Sequence, residues 1–370
     1  MPDISTMDGV AAADIGSIDG VAKANISTLG GVSVPSAVAA TQWAVGFNDA
    51  GIGYAASTDL TSWSTFYAIG SSSVDFVNSA YGTNGSGVER WMWVWTRGAG
   101  EIITINDITG ESTGGANVDI KMRAVAYCND TWIIGGELKT GAQKLYTSTD
   151  GTSMTSRDLS GLANIADSPD DIYDFAHDGV GKVVFTTDEQ VFYSTDKGAT
   201  WAAALTDIED SNSVGKSVLY IKDQDCFVLV YKQGSSGMKF RVASADDLTT
   251  WTSGVSADAS GESTSISSLS KKAMAAAGST FVICYAQSHQ RFTVSGTTIT
   301  PQSYTAGQLP HDGVNDIATD GTSWITCHND GELSISTNDG ASFTSLHTGL
   351  QAGSGDDEIE TITCNVILPV

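Results

Sequence analysis

A short turn sequence recurs down this chain, and its recurrence constrains the fold more than any other property. The best copy is Ser194-Thr195-Asp196-Lys197-Gly198-Ala199-Thr200-Trp201. Near copies run from Ser336 through Asn338 and Gly340 to Phe343, from Ser244 through Asp246 to Trp251, from Ser148 through Asp150 and Gly151 to Met154, and from Ser57 through Asp59 to Trp63. The first serines stand at 57, 148, 194, 244 and 336, so the first and last intervals are about twice the two between them. Such spacing means one structural unit used repeatedly, with a degenerate copy inside each long interval.

The surrounding residues say what the unit is. Each clear turn follows an apolar run, a polar break and a second apolar run, as in Lys182-Val183-Val184-Phe185-Thr186 and then Val191-Phe192-Tyr193. The same shape recurs without a good turn where Arg90-Trp91-Met92-Trp93-Val94-Trp95 leads to Glu101 to Asp107, and where Thr280 to Tyr285 leads to Arg291 to Gly296. Those two fill the long intervals and bring the count to seven units. Upstream lie tight-turn signals, Asn129-Asp130, Asp178-Gly179 and Asp320-Gly321, which favour the left-handed conformations that hairpins need. A unit is therefore three strands, the Ser/Asp turn and a fourth strand such as Trp201 to Leu205. Four antiparallel strands repeated every ~40–50 residues predict propeller blades.

On these residues the chain resembles the Asp-box, or bacterial neuraminidase repeat, proteins of the sialidase-like propellers, from about residue 40 to 370. The copy from Ser194 to Trp201 fits the S-x-D-x-G-x-T-W pattern at every fixed position. The others depart from it: Asn338 and Phe343 are mild substitutions, Leu248 replaces the glycine, the copy at Ser57 is one residue shorter, and the copy at Ser148 ends in methionine. The chemistry of the box is that of a turn. Serine and aspartate bond nearby backbone N–H groups, glycine admits a positive φ, and the aromatic buries beside the blade. Seven similar sites around a ring cannot all be one active centre. The expectation is an all-β, seven-bladed β-propeller of four-stranded antiparallel blades over residues 35–370, closed by residues Ile359 to Leu368. That last strand would complete a first blade whose opening strand near Val34 to Ala40 is short.

Composition agrees. Forty glycines, six prolines and almost no helical periodicity suit many short strands joined by tight turns. A net charge of −25, from 43 acidic and 18 basic residues, opposes nucleic-acid binding through phosphate neutralisation. Cys128, Cys226, Cys284, Cys327 and Cys364 are an odd number at wide spacings, read as buried free thiols of a chain folded in a reducing cytoplasm. No stretch is long and apolar enough to cross a bilayer, and no basic, apolar signal segment opens the sequence. Asp167, Asp170, Asp171 and Asp174 form the densest inner acidic group. Calcium suits such oxygen ligands, but the reading adopted is a solvated carboxylate loop and no cofactor.

The first 34 residues carry a second repeat, of period 11: Ile4 to Val10 with Gly9, Ile15 to Val21 with Gly20, and Ile26 to Val32 with Gly31. Glycine in every copy argues for short strands and tight turns rather than a right-handed helical coil. Three such repeats bury too little apolar surface to fold alone. They read as an extended docking arm, residues 1–34, and resemble short terminal repeats of bacteriophage virion proteins.

Sialidases of the resembling family use three arginines, a tyrosine–glutamate pair and an aspartate. Here only Arg90, Arg97, Arg123, Arg157, Arg241 and Arg291 are available, no Arg-Ile-Pro stands near the first blade, and Arg157 is expected in an outer strand. His177, His289, His311, His328 and His347 lack the spacing of a zinc site or of a nucleophile's partner. Trp91, Trp93 and Trp95 share one strand face and are read as packed between blades. The variable loops Glu137 to Gln143, Lys232 to Gly237, Asp258 to Ser263 and Gln308 to Val314 are the expected binding surface. The sequence thus predicts a non-enzymatic phage structural protein, a capsid decoration or tail appendage. It would be assembled in the host cytoplasm, docked on other virion proteins through its arm in a symmetric assembly, and would present the ring to a host-surface glycan or protein. A glycoside hydrolase or lyase using two of the many carboxylates, and a cellular scaffold or assembly factor, are the alternatives.

Overall fold

The computed structural model describes, in the first forty residues, only the paired strands named next, and then residues 41–48, 52–64, 67–70, 76–83, 87–95, 101–107, 111–118, 120–137, 144–162, 172–187, 190–206, 208, 217–232, 238–256, 273–285, 287–302, 309–348, 350 and 358–366. By internal contacts the chain divides into two compact units, Met1–Thr41 and Gln42–Val370.

In the first unit each 11-residue repeat forms one antiparallel pair. β1 (Thr6–Met7) pairs with β2 (Val10–Ala11), β3 (Ser17–Ile18) with β4 (Val21–Ala22), and β5 (Thr28–Leu29) with β6 (Val32–Ser33). The registers are equivalent, Met7 opposite Val10, Ile18 opposite Val21 and Leu29 opposite Val32, which leaves the Asp-Gly or Gly-Gly pair between the strands.

The second unit is all-β and is a propeller of four-stranded antiparallel sheets. Six sheets each use four consecutive strands. They are β10 (Phe76–Thr83), β11 (Glu89–Trp95), β12 (Glu101–Asp107) and β13 (Glu111–Asn117); β14 (Lys121–Cys128), β15 (Thr131–Glu137), β16 (Lys144–Ser148) and β17 (Thr155–Asp158); and β18 (Asp174–His177), β19 (Val183–Thr186), β20 (Val191–Ser194) and β21 (Ala202–Leu205). The rest are β22 (Ser217–Ile221), β23 (Cys226–Lys232), β24 (Met238–Ser244) and β25 (Val255–Ser256); β26 (Met274–Ala277), β27 (Thr280–Tyr285), β28 (Ser288–Ser295) and β29 (Thr298–Pro301); and β30 (Val314–Thr319), β31 (Trp324–His328), β32 (Leu333–Ser336) and β33 (Thr344–His347). A further four-stranded sheet is composite: β34 (Glu358–Cys364) lies beside β7 (Trp43–Asn48), followed by β8 (Ile52–Ser57) and β9 (Tyr67–Gly70). The strands expected in the two long intervals are β11 and β12, and β27 and β28.

The first strand of each sheet contacts the first strand of the next, and β34 touches both β30 and β10, so these inner strands form a closed cycle. Closure by the 358–364 strand is thus present, with this strand innermost. Residues 34–40, the expected opening strand, lie outside the described residues. Gln42 N–H donates to Asn365 Oδ1 at 2.7 Å, and Asn365 N–H to Gln42 carbonyl oxygen at 2.9 Å, fastening the seam.

The core lies between sheets. Apolar runs such as Cys226-Phe227-Val228-Leu229-Val230-Tyr231 are buried on both faces because each sheet is covered by a neighbour on either side. Phe240, Phe281 and Phe292 pack in one such layer, with Phe281 and Phe292 stacked at 4.8 Å. Trp43, Val45, Ile325, Leu333 and Ile362 form another, joining the sheet of residues 314–347 to the composite sheet. Trp91 and Trp93 are 1% and 0% exposed and stack on each other at 6.2 Å, so they are packing residues, not a sugar platform. The side chain of Trp95 lies outside the description. All five cysteines are free and buried, as expected. Burial pushes the Cys128 and Cys364 thiols up to about 12 and Cys226 to about 11.

Candidate functional site

The Ser/Asp turns join the third and fourth strands of their sheets, and their geometry explains the repeat. Serine Oγ accepts the N–H of Leu60, Gly151, Gly198 and Gly340 in the copies beginning at Ser57, Ser148, Ser194 and Ser336, at 2.8–3.0 Å. Those four acceptances fall on residues at φ of 63°, 77°, 80° and 72°. The same hydroxyl donates to Asp59, Asp150, Asp196 and Asn338. The carboxylate in turn takes later N–H groups, Thr61 and Ser62 for Asp59, Thr152 and Ser153 for Asp150, and Thr200 for Asp196. The N–H groups of Ser62 and Thr61 draw the Asp59 carboxyl down to about 2. Burial opposes the same effect at Asp150 and Asp196, and the hydrogen bonds outweigh it at both. Trp63 and Trp201 indoles donate to the Leu60 and Gly198 carbonyls. Phe343 is 6% exposed, and Met154 packs half-buried against the layer holding Trp132 and Tyr146. Gly340 shows why a glycine is needed, since a Cβ there would lie 2.3 Å from Val282 Cγ2 of the preceding sheet.

The copy at Ser244 corrects one assignment. Asp246 donates its N–H to Ser244 Oγ, but the carboxylate that fixes the turn is Asp247, which accepts Thr249 N–H at 3.0 Å and its hydroxyl at 2.6 Å. With Leu248 in place of glycine the chain closes instead through Asp247 N–H to Ser244 carbonyl oxygen at 3.1 Å. Asp246 faces outward and meets Lys182 Nζ at 3.5 Å. Trp251 keeps its role, donating to Leu248 oxygen at 3.0 Å.

A cavity of about 140 Å³ occupies the centre, lined by all seven inner strands, β10, β14, β18, β22, β26, β30 and β34. Its polar groups act across blade seams. Asp174 Oδ1 accepts Phe175 N–H at 2.9 Å, while Oδ2 reaches the next inner strand, taking the Ser217 hydroxyl and Val218 N–H. Asp316 repeats this arrangement, Oδ1 with Ile317 N–H and Oδ2 with Thr361 Oγ1 and Ile362 N–H, both at 3.1 Å. Asn78 does so with Val125 N–H at 3.4 Å. Thr361 Oγ1 also meets Ser79 Oγ, which extends the Asp316 link to a third inner strand. Asp174 is therefore no solvated loop carboxylate, because a strand start facing the next blade buries it to 4% exposure. Asp167, Asp170 and Asp171 lie outside the described residues, and among the described residues no group of acidic, histidine and cysteine side chains has the makings of a metal site.

Four of the arginines have partners within the sheets. Arg157 is on the outermost strand β17, bonded to Thr147 Oγ1, as expected. Arg291 pairs with Asp339, and the Arg123 and Arg241 guanidinium groups stand 6.0 Å over Tyr173 and Tyr231. Of the expected binding loops, 138–143, 233–237 and 258–263 lie outside the described residues. The strand ends they join sit at the end of the sheets opposite the Ser/Asp turns, since antiparallel order places the second-to-third and fourth-to-first connections together.

The histidines hold the arrangement that spacing did not show. In the sheet of residues 314–347, His311 Nδ1 lies 2.9 Å from Glu332 Oε2 and His311 Nε2 lies 3.0 Å from Ser345 Oγ. Beneath it, His328 sits edge-on at 5.4 Å, its Nε2 against Thr326 Oγ1 at 2.8 Å and Ser334 Oγ at 2.9 Å, its Nδ1 against Asp312 oxygen at 3.3 Å. His311 is a loop residue and His328 a strand residue, and spacing did not show their neighbours because loop, second-strand, third-strand and fourth-strand positions converge at one end of a sheet.

No family model matches the chain, and no curated protein matches it. Among solved structures, YCF48 from Cyanidioschyzon merolae aligns with a TM-score of 0.48 and 12% identity over 79% of this chain and 94% of that one. A structure of YCF48 bound to D1 peptide gives 0.46 and 13% over 69% and 77%. A protein of Bacteroides fragilis described as a "putative 6-phosphogluconolactonase" gives 0.57 and 11% over 89% and 99%. At that identity the likeness to the last is one of fold, and the fold is the propeller.

Proposed function

We propose that this chain is a structural and adhesive component of a bacteriophage particle, a capsid decoration or tail appendage. The arm of residues 1–34 docks on other virion proteins, and an Asp-box propeller is presented to a host-surface glycan or protein. The composite sheet counts as its seventh blade.

The observation that supports this most is the arm. Its three equivalent hairpins have two residues per strand, far below what an isolated hairpin needs to persist in water. A unit of that size gains stability by covering, or being covered by, another surface. The ring, by contrast, is closed through its inner strands, and its seam carboxylates and Ser/Asp turns bond its own backbone. That suits a rigid domain that presents a surface, and the −25 charge suits one that avoids nucleic acid. Assembly would take place in the host cytoplasm and follow the symmetry of the particle.

The test is deletion of residues 1–34, followed by sedimentation of particles assembled with the full or shortened chain. The shortened chain is expected to keep the melting profile of the ring and to be lost from particles. A shortened chain that still joins particles would overturn the docking role.

A further inference from the structure

We infer that Ser345, His311 and Glu332 form a serine-nucleophile site for the hydrolysis of short carboxylic esters. The inference is independent of the virion reading and can fail without it.

The geometry is that of an activated serine. A base within hydrogen-bond reach of a hydroxyl, itself oriented by a third group, defines a nucleophile relay whatever the chain order. His311 Nε2 stands 3.0 Å from Ser345 Oγ, and Nδ1 stands 2.9 Å from Glu332 Oε2. In the tautomer this dictates, Nδ1–H donates to the carboxylate and Nε2 accepts the serine proton. Exposure is graded as the chemistry needs. Ser345 is exposed, the Glu332 side chain is 26% exposed and that of His311 is 8% exposed. The base is thus held in a protein environment while the nucleophile faces solvent. His328, edge-on to His311, fixes the ring from below.

The backbone adds a second observation. Ser334 pairs with Ser345 and Leu333 with His347, so Leu346 is an extra residue in β33. Bulges of this kind re-aim side chains and leave the extra residue unmatched in the ladder. The residue after the nucleophile is the one whose N–H serves as an oxyanion donor in other serine hydrolases, and here that residue is Leu346.

In the reaction Ser345 Oγ bonds to the ester carbonyl carbon as its proton passes to His311 Nε2. The tetrahedral adduct collapses, the ester C–O bond breaks, and the departing alcohol takes the proton from Nε2. Water, deprotonated by the same nitrogen, then attacks the acyl-serine, the acid leaves, and Ser345 regains its proton. An exposed fourth strand admits an ester that projects from a larger molecule, which favours short acyl groups.

The experiment uses the full chain with p-nitrophenyl acetate as substrate and a fluorophosphonate probe, the adduct being mapped by peptide mass spectrometry. Labelling at Ser345 is expected, together with ester turnover that falls roughly 10²–10⁴-fold in Ser345→Ala and His311→Gln. Ser345→Ala removes one exposed hydroxyl, so unchanged melting shows that it is folded. A folded wild-type chain that leaves Ser345 unlabelled would overturn the inference, as would labelling and turnover that His311→Gln does not diminish.

Discussion

His328 ties the acid stability of this protein to one buried ring. It is 0% exposed, and its neutral form is fully bonded, with Nδ1–H toward Asp312 oxygen and two hydroxyls at Nε2. Burial, and then the charge of neighbouring His311, push it down from 6.5 to about 4 against the contrary pull of the Asp312 carbonyl. The sign follows from linkage. Between 6.5 and about 4 the unfolded chain binds a proton that the folded chain refuses. The stabilisation is therefore complete above pH 6.5 and is lost as pH falls toward 4. At 1.36 kcal/mol per unit the loss amounts to about 3 kcal/mol. The perturbation is His328→Gln, which retains a donor and an acceptor but does not titrate. Urea unfolding from about pH 7.5 to about pH 4.5 should show the variant weaker by about 1–3 kcal/mol at the upper end. It should then show the wild type losing the greater stability on acidification, by about 2–3 kcal/mol. The turn carboxylates titrate alike in both proteins and cancel in the difference. Parallel pH profiles would refute the assignment of acid sensitivity to this ring.

Three further outcomes follow from the packing. Asp316→Ala strands the Ile362 N–H at the seam and leaves the Thr361 hydroxyl only Ser79, and should cost about 1–3 kcal/mol in denaturant unfolding, whereas the same change at exposed Asp246 should cost within about 0.5 kcal/mol. Truncation after residue 355 removes β34, with Ile359 and Ile362 buried at about 1.5–3 kcal/mol each, opens the β7 edge and takes away the packing of β34 on β10. The whole ring should melt lower, and unchanged melting would contradict closure. Finally, the thiols of Cys128, Cys226, Cys284, Cys327 and Cys364 should react with an aromatic disulfide reagent only after unfolding, because each is buried.

What the sequence revealed and what it hid divide along the range of the interactions. The Ser/Asp turns were legible because Ser194, Asp196 and Gly198 bond one another within a few residues, so their chemistry is written in consecutive letters. The hairpin at Asn129-Asp130, at φ of 45° and 65°, was legible for the same reason. Even the closing strand was visible, as an apolar run with no turn after it. Asp174 misled because an acidic stretch reads as a solvated loop unless the partner strand is known, and Ser217 is 43 residues on. The exchange of Asp246 for Asp247 was hidden in the backbone consequence of one leucine. His311, Glu332 and Ser345 share no spacing that marks a base and a nucleophile. Only the folding of the loop before β30, the start of β32 and the outer strand β33 onto one another makes them neighbours.

The composite sheet has a consequence for the order of synthesis. β7 meets its inner partner only when residues 358–364 have left the ribosome, and the seam contact between Gln42 and Asn365 spans 323 residues of chain. Until then the inner edge of β7 is unpaired and the cycle of inner strands cannot close, however well the middle sheets have formed. Closure of the ring thus waits on β34, since a chain halted short of it would leave the inner edge of β7 unpaired and open to chaperones and proteases.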